Sequence, residues 1–295
     1  MRTPVFTGSC PALVTPFDAQ GAIHYDVFAK QIDRQIAGGV DAVCVCGTTG
    51  ESATMSIREH IAAVEFCVTH VNHRVKVIAG TGSNDTSAAV YLTQHAQDCG
   101  ADAALLVTPY YNKASQTGLI KHYEYIADRV DIPMILYNVP SRTGVSFTAE
   151  TYSVLAKNPK INGVKEASGN FSLLAHARAL CGEDFYIWSG NDDQVVPMMA
   201  LGAKGVISVA SNIIPEVMVE MSHLCLENNF AAASKLQIEY MDLIDALFIE
   251  VNPIPIKHAM NLLGMEAGSL RLPLCDISPA NGEKLKAAMQ RMGLL

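Results

Sequence analysis

Lys165 closes an apolar run, Ile161 to Val164, and an abrupt polar turn, Glu166-Ala167-Ser168-Gly169, follows it. A lysine at the inner end of a strand must find a counter-charge or shed its proton. The unprotonated amine is a nucleophile that forms Schiff bases with carbonyl compounds. Tyr137 ends the preceding run, Pro133-Met134-Ile135-Leu136, in the same way. Neighbouring strands lie about 4.8 Å apart, so a phenol and an amine at two adjacent strand ends can share one substrate. The chemistry that wants this pair is class I aldol or lyase chemistry. The amine attacks a ketone, water leaves the carbinolamine, and the iminium acidifies the neighbouring carbon, so that an enamine can attack an aldehyde. A tyrosine hydroxyl can carry the protons these steps move. For the lysine alone, an ordinary ion pair with Glu166 or another carboxylate is the competing reading.

Two further groups have the character of carboxylate sites. Thr48 and Thr49, in Gly47-Thr48-Thr49-Gly50-Glu51, bring hydroxyls to a glycine turn whose successive N–H groups can form an anion nest. Arg142, in Pro140-Ser141-Arg142-Thr143-Gly144, lies just beyond Tyr137 and carries the fork that binds carboxylates bidentately. Taken singly, the first is also a plain tight turn and the second a surface arginine.

The elements that must position these groups recur regularly. Eight apolar or β-branched runs read as strands: Cys10–Thr15, Asp41–Cys46, Val75–Ala79, Ala103–Thr108, Pro133–Tyr137, Ile161–Lys165, Phe185–Ser189 and Gly205–Val209. Amphipathic stretches at Tyr25–Ala37, Ile57–Val71 and Ser87–Cys99 read as helices, and Ser56 with Glu59 has the form of a capping box. Alternating strands and helices with near-continuous apolar strands mean a helix-covered parallel sheet. Eight repeats predict a closed (β/α)8 TIM barrel, an α/β fold whose catalytic face lies at the strand C-termini. A doubly wound nucleotide-binding sheet is disfavoured: the first strand runs into Val14-Thr15-Pro16-Phe17, and Gly80-x-Gly82 has no third glycine. After a helix at Pro215–Leu226 the strand signal ends. Long helices are expected at Ala231–Ile249, Pro253–Leu263 and Pro279–Met292. The expected division is a catalytic barrel over residues 1–228 and a C-terminal helical domain, or appendage, over 229–295.

Bulk properties narrow the partners. The chain has 295 residues, 49% hydrophobic and 17% charged, enough for a sizeable core. Its net charge is −8 and no basic run occurs, which argues against nucleic acid or an anionic membrane as partner. No apolar stretch long enough to span a bilayer and no secretory leader is read, so a cytoplasmic location is expected. The eight cysteines include no Cys-x-x-Cys pair and read as reduced core thiols, and the nine histidines show no ligand spacing. No metal and no other cofactor is expected.

These motifs, together with Thr108-Pro109-Tyr110-Tyr111-Asn112, Gly205-Val206-Ile207-Ser208-Val209 and Asn252-Pro253-Ile254-Pro255-Ile256-Lys257, resemble those of the dihydrodipicolinate synthase family, within the pyruvate-dependent class I lyases. The similarity runs in order from about Phe6 to Leu295. It implies condensation of pyruvate with L-aspartate 4-semialdehyde to 4-hydroxy-tetrahydrodipicolinate, on the route to diaminopimelate and lysine. The resemblance assigns the Schiff base to Lys165 and central proton transfer to Tyr137. Thr48 connects Tyr137 to Tyr111, which in the family reaches across from a neighbouring subunit. Thr49 holds the pyruvate carboxylate, Arg142 receives the semialdehyde carboxylate, and Gly190 and Ile207 line the pocket. The family is typically a homotetramer, a dimer of dimers.

The sequence departs from the family at the allosteric lysine site. The matching positions are Ser52, Ala53, Ile57, His60, Asn84, Ala88 and Tyr110. Ile57 stands where lysine-sensitive members often have histidine, and Ala88 where they have glutamate. Alanine cannot pair with a ligand ammonium, so weak or absent lysine inhibition is expected. Lyases of the same fold that act on N-acetylneuraminate or 2-keto-3-deoxy sugar acids are rivals, which generally lack the arginine after the Tyr-Asn-x-Pro turn. A non-catalytic keto-acid sensor is another.

Overall fold

The computed structural model describes residues 2–295. Eight parallel strands form its centre: β1 Gly8–Pro11, β2 Ala42–Val45, β3 Lys76–Gly80, β4 Ala103–Val107, β5 Met134–Asn138, β6 Ile161–Glu166, β7 Tyr186–Ser189 and β8 Gly205–Ser208. From β2 to β8 each strand hydrogen-bonds its sequence neighbours, and β1 pairs with β8. A parallel bridge between Ala12 and Cys44 joins β1 to β2, so the sheet closes into the expected (β/α)8 barrel. The strands are buried almost throughout, as a sheet covered on both faces requires.

Seven of the strands lie within about one residue of the expected runs. The first does not: it spans Gly8–Pro11 rather than Cys10–Thr15. Ala12 N–H still donates to Ser208 O, but Val14 N–H donates to the Asn212 side chain, so beyond Leu13 the chain leaves the ladder. β6 needs a glycine at 163, because a Cβ there would stand 1.9 Å from Tyr186 O on β7.

The helices Tyr25–Ala37, Ile57–Val71 and Pro215–Leu226 have the expected bounds, and Thr86–Asp98 begins and ends one residue early. Ser56 caps Ile57–Val71: its Oγ accepts from Glu59 N–H, and Glu59 Oε2 accepts from Ser56 N–H at 2.9 Å. The single long helix expected over Ala231–Ile249 is two helices, Phe230–Glu239 and Met241–Leu247. They break at Tyr240 (φ −92°, ψ 2°), because the first half packs on Pro215–Leu226 while the second packs on Ile254–Leu262 and Pro279–Arg291. Leu243, Ile244, Ala259 and Leu285 join the apolar core that covers the outside of the barrel. A separate cluster fills the barrel interior, with Cys10, Cys44, Ile135, Tyr137, Trp188 and Ile207 among its members. All eight cysteines are free thiols; five are buried, Cys99 and Cys181 are half-buried, and Cys275 is exposed.

Candidate active site

Lys165 sits on β6 opposite Tyr137 of β5 and Trp188 of β7 in the strand register. It is 6% exposed, and its Nζ stands 4.5 Å from the centroid of the Tyr137 ring. That is within the reach of a cation–π contact. Glu166 does not neutralise it. Successive residues of a strand face opposite sides, and the Glu166 carboxylate is turned outward into a buried network. It accepts from Asn138 Nδ2 at 3.0 Å, from the Tyr152 hydroxyl at 2.8 Å and from Ser168 N–H at 2.8 Å. Among the described residues no ion pair includes Lys165. The ion-pair reading of this lysine therefore falls away.

The surroundings of the amine are spare. Asp192 follows β7 and is 1% exposed: burial pushes its carboxyl up, and hydrogen bonds from Ser208, Ala210 and Val209, with the Lys165 charge the smallest contribution, pull it back. Asp192 Oδ2 accepts from the Val209 and Ala210 N–H groups, both at 3.0 Å. The nearby thiols are no rivals for the nucleophile, since burial pushes Cys44 up to about 11 and Cys10 well above its ordinary value. Gly190 leaves room at the lysine tip. A Cβ on it would lie 3.1 Å from Lys165 Cε and 2.7 Å from Ala167 Cβ. Ile207, fully buried on β8, packs in the same barrel-interior cluster as Tyr137.

The threonine turn follows β2. Gly50 and Glu51 N–H donate to Gly47 and Thr48 O, both at 3.1 Å, and Glu51 adopts a left-handed backbone (φ 55°). This strained residue is held from the far end of the chain. Its carboxylate pairs with Lys257 Nζ at 2.7 Å, the two side chains 1% and 2% exposed, and accepts from Arg271 N–H at 3.0 Å. Burial lowers the proton affinity of Lys257, and the Glu51 charge raises it again. Thr49 is 2% exposed, and its Oγ1 accepts from Asn252 Nδ2 at 3.0 Å. Asn252 O in turn accepts from Arg142 Nη2 at 2.9 Å. Arg142 stands on the short helix Pro140–Thr143. Asn252 and Lys257 were not among the expected site residues, although the motif that contains them was legible.

A cleft of about 490 Å³ opens beside these groups. Thr48, Val107, Val139, Arg142 and Asn252 line it, and so do Ser52, Ala53, His60 and Tyr110 of the expected allosteric set. Lys165 and Tyr137 do not line it, nor do Ile57, Asn84 and Ala88. His60 is buried with Nε2 2.8 Å from Gly80 O, and burial lowers its proton affinity. Ile57 is 53% exposed, and Asn84 O accepts from Asn112 Nδ2 at 2.8 Å. Tyr111 stands apart: it is 91% exposed on a left-handed backbone (φ 69°), and no side-chain hydrogen bond among the described residues ties it to Thr48 or Tyr137.

The profile of the dihydrodipicolinate synthetase family matches residues 5–292. The chain belongs to the dihydrodipicolinate synthetase family. A member of the family from Acetivibrio thermocellus, a 4-hydroxy-tetrahydrodipicolinate synthase, is 48% identical over 295 residues, which is 100% of both chains. A dihydrodipicolinate synthase from Cyanidioschyzon merolae, solved with lysine bound, is 40% identical and superposes with a TM-score of 0.96 over 99% of this chain and 100% of that one. A structure described as the first monomeric dihydrodipicolinate synthase variant is 38% identical, with a TM-score of 0.96 over 99% of this chain and 98% of that one. No helix among the described residues is long and apolar enough to cross a membrane, as expected.

Proposed function

We propose that this chain is a Schiff-base-forming lyase that condenses pyruvate with L-aspartate 4-semialdehyde to 4-hydroxy-tetrahydrodipicolinate, the first committed step toward diaminopimelate and lysine. One observation carries the reading: Lys165 is buried at a strand end beside Tyr137, with its neighbouring carboxylate Glu166 fully engaged elsewhere. An amine without a salt-bridge partner is free to attack the pyruvate ketone. Water leaves the carbinolamine, the iminium acidifies the methyl carbon so that its proton passes to a base and an enamine forms, and the enamine carbon bonds to the aldehyde. Tyr137 carries the protons, in concert with Thr48 and with Tyr111 from a second subunit. Thr49 holds the pyruvate carboxylate, Arg142 holds that of the semialdehyde, and Gly190 and Ile207 shape the pocket. The imine itself is the electron sink, so the reaction needs no metal or organic cofactor. The enzyme works in the cytoplasm as a homotetramer, a dimer of dimers, and the barrel (1–228) and helical region (229–295) act as its two units.

Borohydride reduction with pyruvate tests the reading. The wild-type chain should gain a stable carboxyethyl adduct on Lys165 by mass, and Lys165→Ala should gain none. A wild-type chain that stays unmodified refutes the mechanism. A coupled assay should then show turnover with aspartate semialdehyde and none with pyruvate-releasing sugar acids. Lysine regulation is expected to be weak, because Ile57 and Ala88 offer a ligand ammonium neither an imidazole nor a carboxylate. Initial rates should stay nearly flat as free lysine is raised.

A further inference from the structure

Asn252 lies 203 residues from Thr49 in the chain, yet its carboxamide N–H is the group that meets the Thr49 hydroxyl, at 3.0 Å. Both residues are buried, Asn252 at 6% and Thr49 at 2% exposure. A hydroxyl has one proton and two lone pairs. With a lone pair of Thr49 Oγ1 taken by Asn252, the remaining strong capacity of the hydroxyl is to donate. No acceptor among the described residues takes that proton.

The other end of the same amide is as informative. Asn252 Oδ1 is buried and has no hydrogen-bond partner among the described residues. A buried amide oxygen without a donor is costly, and an asparagine kept only for folding would be expected to satisfy both ends. This side chain spends its one bond on Thr49. Its backbone carbonyl, independently, accepts from Arg142 Nη2. Residue 252 also lines the cleft together with Thr48 and Arg142.

We propose that Asn252 is a positioning residue that sets the polarity of Thr49, so that the threonine hydroxyl becomes a dedicated donor to the carboxylate of the first substrate. The inference rests on the pyruvate reading of the site. It makes the segment after the barrel part of the first substrate's site, through a group that need not touch substrate. It also separates the two substrates. The side chain serves Thr49, whereas Arg142 leans on a backbone oxygen that any residue at 252 supplies.

The test measures KM for each substrate and the pyruvate dependence of borohydride trapping. Asn252→Ala should raise the pyruvate KM about tenfold, the size of one hydrogen bond, with the semialdehyde KM changed far less. Asn252→Asp keeps the shape but loses the N–H and adds charge, and should be at least as impaired. In a Thr49→Val background, Asn252→Ala should add nearly nothing, because the hydroxyl it orients is gone. Equal effects on both KM values, additive effects with Thr49→Val, or loss of the cooperative thermal transition in the Asn252 variants would each overturn the proposal, the last because the amide would then be serving the fold. If the wild-type chain itself forms no pyruvate adduct, the functional reading has failed. If the wild type forms the adduct and the variants do so at unchanged pyruvate concentration, only the role of Asn252 has failed.

Discussion

At the scale of single residues, the reactive centre is defined as much by missing atoms as by present ones. Gly190 has no side chain where one would meet Lys165 Cε at 3.1 Å and Ala167 Cβ at 2.7 Å. The lysine tip must change shape when its nitrogen becomes planar and bonds a second carbon, and a fixed Cβ beside it removes the room. Gly190→Ala should therefore lower kcat/KM by at least about tenfold, since displacements of an ångström at a reacting group cost that much or more. The melting temperature should fall as well, because the Ala167 Cβ at 2.7 Å is fixed to the backbone and cannot rotate away. Steady-state kinetics beside a thermal melt checks this, and unchanged kcat/KM sinks it. Lys165 and Tyr137 were legible as residues because their chemistry and their strand ends are local in sequence. The Thr49–Asn252 bond and the Glu51–Lys257 pair were not, since nothing local marks a contact across 203 or 206 residues.

At the scale of elements, strands were readable because a helix-covered parallel strand is simply a short apolar run. The break at Tyr240 was not, because no glycine or proline marks it and distant packing partners decide it. The helices Thr86–Asp98 and Gln116–Ala127 show another effect of packing. His122, buried on the second, holds Thr86 Oγ1 at 2.9 Å through Nδ1, and its Nε2 has no partner among the described residues. Burial lowers the proton affinity of its imidazole to about 4 from an ordinary 6.5, with the Asp85 charge pulling the other way. Between those values the unfolded chain binds a proton that the folded chain refuses. This contribution to stability is thus complete above pH 6.5 and is lost progressively as pH falls toward 4. His122→Gln should flatten that part of the dependence of melting temperature on pH. Melts of both proteins across the interval check it, and parallel curves exclude this histidine as the cause.

At the scale of the whole molecule, the proposed mechanism calls on a second chain. Tyr111 is almost fully exposed on a strained backbone, in a chain whose other proposed catalytic groups are held at one end of the barrel. Exposure alone assigns Tyr111 no partner, but it leaves the ring free to enter a neighbouring subunit's site as the proposed mechanism requires. Leu272 is 83% exposed, and the next two residues, Pro273 and Leu274, line the cleft that Tyr110 also lines, so apolar surface continues toward the same place. In a two-fold dimer each subunit would give its Tyr111 to the other's Lys165. Lys165→Ala and Tyr111→Ala are then complementary lesions. Each variant alone should be nearly inactive. Co-refolding them in equal amounts should restore about a quarter of wild-type activity, because half the dimers are mixed and each mixed dimer rebuilds one complete site. Sedimentation should confirm that the mixture is assembled. A mixture no more active than its two components would show that Tyr111 serves its own chain and that the site has no need of a second subunit.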